Sequence, residues 1–318
     1  MSRIHEALKK AELERAASQG GLPQPNYATE GPAEPSGTPR VEEQPVEAGA
    51  GRPSNGEIPL TSTMPSFGGP FNLDTLMARC IPQSWAPDGT TMLFFNGDEK
   101  ARGAEEFRTL RSRLYSAREK MALKKILVTS ALPKEGKSFT AANLAQVLAR
   151  QHGRRVLLID ADLRGPRLHM MLGTTSSPGL ADYLQDGGDE FSIMQRGPME
   201  NLFFIPSGHE ISNPAELVAN GRLRILMQRV ESLFEWIIVD SPPALPVSDA
   251  SILAKACDGV LMVVRSNATP VDMARRARQE FAEEALLGVV LNGTREDVLP
   301  YTRYYYDEFQ TNTIESKT

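Results

Sequence analysis

Between residues 131 and 138 the chain reads ALPKEGKS, a stretch that ends in a glycine, a lysine and a hydroxyl. It fits the phosphate-loop pattern, with Ala131 in place of the first glycine. A glycine at position 136 lets the backbone approach a phosphate, and successive N–H groups form an anion nest. In this pattern the lysine binds the β- and γ-phosphates, and the hydroxyl, here that of Ser138, binds Mg²⁺. We predict nucleotide contacts along six consecutive residues: Lys134, Glu135, Gly136, Lys137, Ser138 and Phe139.

Two further segments place carboxylates at the ends of apolar runs. Residues 157–164 read LLIDADLR, and residues 237–243 read IIVDSPP. Asp160 and Asp162 are two positions apart and therefore share one face of a strand. Because Mg²⁺ prefers oxygen ligands, we predict a magnesium site of Ser138 and Asp162, with Asp240 in its outer shell. Aspartates at strand ends also cap following helices, and that alternative stays open for Asp240.

These motifs fall between apolar runs that alternate with helical patterns. Six runs are typical of strands buried on both faces: 126–131, 156–161, 202–207, 237–242, 259–266 and 286–292. Helices are predicted over 138–153, 213–220, 222–234, 248–257 and 270–284. The alternation predicts an α/β domain with a mostly parallel sheet flanked by helices on both faces. Ligands of such sheets bind beyond the carboxyl ends of the strands, where the motifs are expected to meet.

The composition limits the classes of function. The chain has 318 residues, of which 41% are hydrophobic, and its formal net charge of −5 gives no reason to expect nucleic-acid binding. Its two cysteines, Cys80 and Cys257, match no metal or redox spacing, so a reducing cytoplasm is the expected setting. No apolar run approaches the roughly 20 residues that span a bilayer. We therefore expect any membrane attachment to depend on another protein.

The two ends of the chain differ from its middle. Residues 1–17 predict a short amphipathic helix, because Ile4, Leu8 and Ala11 recur at helical spacing. Ten of the 23 prolines lie between Pro23 and Pro70, so we predict a disordered tether over 18–83 and a folded domain over 84–298. A tail over 299–318 holds four of the seven tyrosines: Tyr301, Tyr304, Tyr305 and Tyr306. Such a cluster is either a packing element or a set of chemical acceptors.

Taken together, the three motifs resemble those of the bacterial tyrosine kinases, the autokinases that govern capsule and exopolysaccharide export. The phosphate loop shares the P-x-E-G spacing of Pro133 to Gly136. The pattern D-x-D-x-R after three apolar residues is met from Asp160 to Arg164, and D-x-x-P is met at Asp240. The resemblance covers roughly residues 95–310. It implies a P-loop fold of the deviant type found in the MinD and ParA ATPases.

The resemblance also implies a mechanism and a set of partners. Mg-ATP is the phosphoryl donor, Lys137 and Asp162 are catalytic, and Asp160 accepts the proton of the attacking phenol, although the residues leave the choice between the two aspartates open. The tail tyrosines are the acceptors. Implied partners are a membrane-embedded activator that recruits the chain to the inner face of the plasma membrane and a cognate tyrosine phosphatase.

One further motif of that family concerns assembly. Glu105, Arg108 and Arg111 fit E-x-x-R-x-x-R, which in the family joins subunits into a ring. By spacing alone these residues form an ion-paired surface of a helix.

Two other classes compete with the kinase. A partitioning or septum-site ATPase of the ParA or MinD type carries a signature lysine early in its loop, where this chain has Leu132. A nucleotide-binding regulator of polysaccharide export without phosphoryl transfer is also compatible with the motifs. A GTPase is not favoured, because no N-K-x-D motif follows the later strands.

Overall fold

A computed structural model describes residues 72–95, 103–185 and 189–294. These residues form one eight-stranded sheet with the strands β1 (Ile81–Pro82), β2 (Lys125–Ser130), β3 (Val156–Asp160), β4 (Gln195–Arg196), β5 (Leu202–Ile205), β6 (Trp236–Asp240), β7 (Gly259–Arg265) and β8 (Leu286–Asn292). All six predicted strands are present. The additional β1 and β4 are two residues long, too short to leave a pattern in the sequence.

The spatial order of the strands is β1-β4-β5-β3-β6-β2-β7-β8. In the described part of the chain every pairing is parallel except that of β4 with β5. Strands β3, β5 and β6 are buried throughout, as expected for strands covered on both faces. The predicted mostly parallel α/β sheet is confirmed.

Helices cover both faces of this sheet. They are α1 (Leu73–Arg79), α2 (Ala104–Arg118), α3 (Lys137–Ala149), α4 (Leu168–Leu172), α5 (Leu180–Leu184), α6 (Pro214–Ala219), α7 (Arg222–Val230), α8 (Asp249–Ala254) and α9 (Val271–Gln279), with a 3₁₀ turn over Glu283–Ala285. Apolar residues of α2 and α3 pack on one face of the sheet, and those of α6 to α9 pack on the other. Two cores therefore hold the central strands rigidly between them.

Strand order brings the three motifs together. Asp160 at the end of β3 pairs in register with Asp240 at the end of β6, and Val128 of β2 pairs with the same aspartate from the other side. Neighbouring strands lie about 4.8 Å apart, so the loops after β2, β3 and β6 share one edge of the sheet. The expected meeting of the motifs at the carboxyl edge is confirmed.

The domain begins earlier than the sequence indicates. We predicted its start at Ser84, whereas α1 and β1 already lie between Leu73 and Pro82. Leu76 and Cys80 are buried in the core, and β1 pairs with β4, which holds this short segment on the sheet. The predicted N-terminal helix, most of the tether and the tyrosine tail lie outside the described residues. Among those described, no helix is long and apolar enough to cross a bilayer.

Candidate nucleotide-binding site

The loop between β2 and α3 has the curvature of an anion nest. Lys134 and Gly136 adopt positive φ angles of 67° and 97°, with Glu135 between them. Alternation of this kind turns successive backbone N–H groups toward one concave side. Helix α3 starts at Lys137, so its first-turn N–H groups, which have no partner within the helix, point the same way. The predicted phosphate loop therefore has the shape that binds an anion.

Side chains at the carboxyl ends of the neighbouring strands β7 and β8 hold this loop in place. Asn292, the last residue of β8, donates a hydrogen bond of 2.9 Å to the carbonyl oxygen of Glu135. Arg265 donates one of 3.0 Å to the carbonyl oxygen of Lys134. The Glu135 carboxylate accepts from the amide of Leu132 at 2.8 Å and also from the hydroxyl of Thr269. Thus Glu135 shapes the loop through its own hydrogen bonds. We call the three residues that hold the loop from the carboxyl ends of β7 and β8 the brace: Arg265, Thr269 and Asn292.

The glycine in this loop is required by a close approach. A Cβ atom at position 136 would lie 2.0 Å from Nδ2 of Asn292, far inside the contact distance. The positive φ angle at this position is also one that glycine adopts without strain. The loop conformation is therefore what requires glycine here, and an added side chain would also displace the amide of Asn292 from its hydrogen bond to the loop.

The lysine ammonium lies among the three side chains predicted to hold magnesium. Nζ of Lys137 is 2.6 Å from Oδ2 of Asp162, 3.3 Å from Oγ of Ser138 and 3.8 Å from Oδ2 of Asp240. Burial favours the neutral amine, but the charges of Asp240 and then Asp162 outweigh it and raise the pKa of Lys137. The three oxygens thus converge on one positive charge, which is the arrangement that a cation requires.

Asp240 is the clearest sign that the site fits a further positive group. It is fully buried, and among the described residues neither of its carboxylate oxygens accepts a hydrogen bond of normal geometry, although the hydroxyl of Ser138 and the amide of Ser241 are near enough to lower its pKa slightly. Burial raises the pKa of Asp240 to about 6, although the charge of Lys137 opposes the shift. A buried carboxylate left in this state is costly unless a ligand completes it. Magnesium with the phosphates of a nucleotide is such a ligand.

The donor set also fits magnesium in particular. Within the described ranges, no group of three or more His, Cys, Asp or Glu side chains forms a metal site made of protein alone. One hydroxyl and two carboxylates leave several positions to phosphate and water, which is how Mg²⁺ is usually held. Ser138 and Asp162 line the cavity directly, while Asp240 lies behind them with no exposed surface.

The two aspartates after β3 have different surroundings. Asp160 is fully buried, and its oxygens accept the backbone amides of Asp162 at 3.3 Å and of Leu168 at 3.1 Å. The latter contact caps α4, so a capping role belongs to Asp160. Burial, followed by the charge of Asp240, raises the pKa of Asp160 well above its ordinary value. Asp162 instead borders the cavity, and its second oxygen accepts from the amide of Gly165 at 3.0 Å.

A cavity of about 740 Å³ opens at this edge of the sheet, a size typical of ligand sites. Its floor is the phosphate loop with Lys134, Lys137 and Ser138. Charged residues of the loop after β3 also line the cavity, and so does an apolar group that we call the apolar wall: Phe139, Met170, Met171, Pro243, Pro246 and Val247. The cavity therefore combines a charged phosphate-binding part with an apolar lining.

The predicted assembly motif lies on α2, away from this cavity. Glu105 and Arg108 form an ion pair of 3.0 Å within the helix. Arg111 donates a hydrogen bond of 3.2 Å to the carbonyl oxygen of Val147 and thereby fastens α2 to α3. These contacts lie within one chain, and the proposed role in ring assembly stays a prediction. The predicted acceptors Tyr301, Tyr304, Tyr305 and Tyr306 lie outside the described residues.

Sequence reasoning missed several residues that shape the site. The residues Asn292, Arg265 and Thr269, which hold the loop, are not predicted from the sequence, although Arg265 and Asn292 end strands and Thr269 follows one at the carboxyl edge where ligands are expected. Arg164 was noted only for its spacing, and the structure shows it in a two-point ion pair with the buried Asp249, at 2.9 and 3.0 Å. Polar residues after every parallel strand would have been the signal to follow.

Fold and geometry together define a P-loop nucleotide-binding domain of the α/β class. Comparison with known proteins makes the class narrower. A family model described as an AAA domain matches residues 124–273. Tyrosine-protein kinase YwqD of Bacillus subtilis is 36% identical over 200 residues, which cover 62% of this chain and 84% of that protein. The chain belongs to the family of bacterial tyrosine kinases, as the motifs indicated.

Other relatives differ in length. Tyrosine-protein kinase wzc of Salmonella typhimurium is 32% identical over 208 residues, which cover 65% of this chain but only 29% of that protein. The kinase domain of the Escherichia coli tyrosine kinase ETK has a TM-score of 0.58 at 31% identity, with coverage of 64% of this chain and 80% of that structure. The shared part is thus the domain that holds the phosphate loop.

Proposed function

We propose that this chain is a tyrosine autokinase that transfers the γ-phosphoryl group of Mg-ATP to the tyrosines of its own C-terminal tail. One observation carries the proposal: Ser138, Asp162 and Asp240 converge on the Lys137 ammonium beside a phosphate-binding nest. A site of this kind neutralises charge on a transferred phosphoryl group, which is the main task in such catalysis. Acceptors are supplied within 14 positions of the end of β8 in the sequence, by Tyr301, Tyr304, Tyr305 and Tyr306.

Each side chain has a separate task in the proposed reaction. The phosphate loop binds the triphosphate, and Lys137 stabilises negative charge on the oxygens of the transferred group. Ser138 and Asp162 would hold Mg²⁺, and Asp240 would support it from the outer shell. The magnesium ion, when bound, neutralises phosphate charge and orients the phosphates.

The proposed transfer forms one bond and breaks one. The phenol oxygen of the acceptor bonds to the γ-phosphorus, the bond to the β,γ-bridging oxygen breaks, and ADP leaves. The phenol proton passes to a carboxylate, for which we propose Asp160, as the resemblance implies. Asp162 is the alternative, since it borders the cavity while Asp160 lies behind it. The rates of single-turnover transfer by Asp160→Asn and by Asp162→Asn, both measured at saturating Mg²⁺, distinguish the two candidate bases.

The proposed setting is the export of capsule or exopolysaccharide. We propose that a separate membrane-embedded activator recruits the chain to the inner face of the plasma membrane. Ring assembly through Glu105, Arg108 and Arg111 would bring a tail to a neighbouring site, and a tyrosine phosphatase would reset it. A tail of about 20 residues reaches about 60 Å when extended, which is enough for transfer between neighbours. Several phosphotyrosines at about −1.5 to −2 charges each would then repel one another and favour monomers.

Phosphosite mapping tests the proposal. The purified full chain is incubated with Mg-ATP and analysed by mass spectrometry, beside Lys137→Met and a variant with the four tail tyrosines changed to Phe. We expect phosphate on the tail of the unchanged chain and on neither variant. ATP hydrolysis with an unmodified tail would instead identify a regulatory ATPase.

A further inference from the structure

The apolar wall of the cavity is unusual because it is exposed beside a charged phosphate site. Met170 has 61% of its surface exposed, although it lies beside a charged phosphate site. Met171, Pro243, Pro246 and Val247 continue the same wall. None of these residues follows β7 or β8, so the wall extends from the phosphate loop only toward the loops after β3 and β6. An exposed apolar wall that continues from a phosphate site is suited to a flat apolar group next to the transferred phosphate.

The wall is held firmly. Helix α4 carries both methionines, and Asp160 accepts a hydrogen bond from its first amide. At its other end, the amides of Asp88 and Ala86 donate to the carbonyl oxygens of Met171 and Gly173, at 3.0 and 3.2 Å. A Cβ atom at position 173 would lie 2.1 Å from the carbonyl oxygen of Ala86, so the two segments are in close contact. Helix α4, which carries the two methionines of the apolar wall, is therefore held by the predicted catalytic Asp160 at its first residue and by residues 86–88 at its other end.

Two arginines line the same cavity as the apolar wall, and they differ in whether a carboxylate pairs with them. Arg164 is held by the buried carboxylate of Asp249. Arg167 is exposed and lines the cavity, and no carboxylate in the described ranges pairs with it. It lies three positions before Met170. Within the described residues, the guanidinium of Arg167 therefore has no carboxylate partner, and it lines the same cavity as the exposed Met170.

The tail has the complementary order of groups. Tyr306 is followed directly by Asp307 and Glu308. In an extended chain two residues span about 7 Å, so a phenol and a carboxylate of this segment can meet neighbouring surfaces at once. The phenol is complementary to the apolar wall, and the acidic pair is complementary in charge to Arg167, which has no carboxylate partner among the described residues. Ion pairing at the rim of a site selects partners and orients them.

We infer that Met170 and the adjacent apolar wall seat the acceptor phenol and that Arg167 selects the tyrosine that precedes Asp307 and Glu308. The inference rests on the proposed function, because the acceptor is the tail of this same chain. It makes Arg167 a specificity-determining residue and Tyr306 the first tyrosine to be modified. Tyr301, which is distant from the acidic pair, is modified later.

A charge exchange between enzyme and acceptor tests the inference. The enzyme is the full chain with its four tail tyrosines changed to Phe, either otherwise unchanged or with Arg167→Glu. The acceptor is the full chain with Lys137→Met, carrying either its own tail or Asp307→Lys and Glu308→Lys. At limiting acceptor we expect Arg167→Glu to slow transfer to the native tail about 10-fold and the reversed tail to restore it. Arg275→Glu, an exposed arginine of α9 outside the cavity, is the matched control and is expected to have no effect.

A second readout separates the outcomes. Mg-ATP should raise the melting temperature of the Arg167→Glu enzyme as much as that of the unchanged enzyme, and Met170→Ser should raise the KM for the acceptor without affecting this shift. Loss of the shift in Arg167→Glu would overturn the inference, because the arginine would then bind nucleotide. Equal transfer by both enzymes, without rescue by the reversed tail, would overturn it as well. No transfer by the unchanged enzyme would contradict the proposed function itself.

Discussion

The flank of the phosphate loop that faces β3 and β6 carries buried charges, whereas the flank that faces β7 and β8 carries hydrogen-bonded polar groups near the surface. On the first flank the carboxylates of Asp162 and Asp240 share the Lys137 ammonium, and Asp240 accepts no hydrogen bond of normal geometry among the described residues. On the second, Asn292 and Arg265 each donate to a carbonyl oxygen of the loop. Buried charge without full compensation destabilises a fold, and hydrogen bonds stabilise it. The difference indicates that the first flank is arranged for a ligand and the second for the loop itself.

The largest expected effect is on catalysis at the charged flank. Changing Asp162→Asn keeps the shape of the side chain but removes the charge that faces Lys137 and, as proposed, Mg²⁺. We expect the rate of tail phosphorylation to fall by about 10²–10³-fold, since one electrostatic contact is removed from the transferred group's surroundings. Time courses of phosphotyrosine formation measure it. An unchanged rate would show that this aspartate takes no part in the reaction.

The second prediction concerns stability and has the opposite sign from most substitutions. In Asp240→Asn without magnesium or nucleotide, a neutral group replaces a buried charge whose burial cost is only partly offset by the Lys137 ammonium 3.8 Å away. The free energy of unfolding is expected to rise by about 1–3 kcal/mol, which corresponds to a melting temperature higher by about 2–8 °C. Thermal unfolding at pH 8 measures it.

The dependence on pH provides the control for this variant. The pKa of Asp240 is raised to about 6, so the folded state binds a proton more readily than the unfolded state. As the pH falls through this value, Asp240 becomes protonated in the wild-type chain and the cost of burying its charge disappears. The difference in melting temperature between Asp240→Asn and the wild-type chain should shrink accordingly. A variant that melts below the wild-type chain at pH 8 would contradict the contrast between the two flanks.

A smaller effect is expected when the brace is weakened. Asn292→Ala removes the hydrogen bond to the carbonyl oxygen of Glu135 and should cost about 1–2 kcal/mol of unfolding free energy. Because the loop is then less fixed, the KM for ATP should rise several-fold while kcat changes little. Denaturant titration and ATP-dependent kinetics measure both. Leu291→Ala, at the neighbouring position that is 55% exposed, is the matched control.

The smallest effect is expected at the surface of the brace. Arg265→Ala removes an exposed hydrogen bond to the carbonyl oxygen of Lys134. A loss within about 0.5 kcal/mol is expected, as for most surface changes. Urea unfolding checks the value. A larger loss than that of Asn292→Ala would reverse the assigned order of the two brace contacts.

Much of this architecture could be predicted from the sequence because its signals are local. Apolar runs between helical patterns indicate the six main strands, and ALPKEGKS between β2 and α3 indicates the phosphate loop. The short β1 and β4 were missed, since a two-residue strand is defined by its partners and not by a pattern. The domain start is also predicted too late, near Ser84, because the seven-residue helix α1 is too short for its pattern to stand out next to the proline-rich segment.

The candidate site was predictable in part. Chemistry-bearing residues were found where a motif names them, as for Lys137 and Asp162. The brace was missed because Asn292 acts on a loop more than 150 residues away in sequence, as their contact shows. Likewise the separate positions of Asp160 and Asp162 depend on the path of the chain after β3, which spacing alone does not reveal.

The most direct test of the division between the two flanks is a pair of single-turnover measurements at saturating Mg-ATP, with the full chain carrying Asp162→Asn or Asn292→Ala. If the first flank performs the chemistry and the second shapes the loop, transfer to the tail stays slow in Asp162→Asn and returns close to the wild-type rate in Asn292→Ala. Equal slowing of both variants at saturation, or recovery of Asp162→Asn alone, would contradict the account.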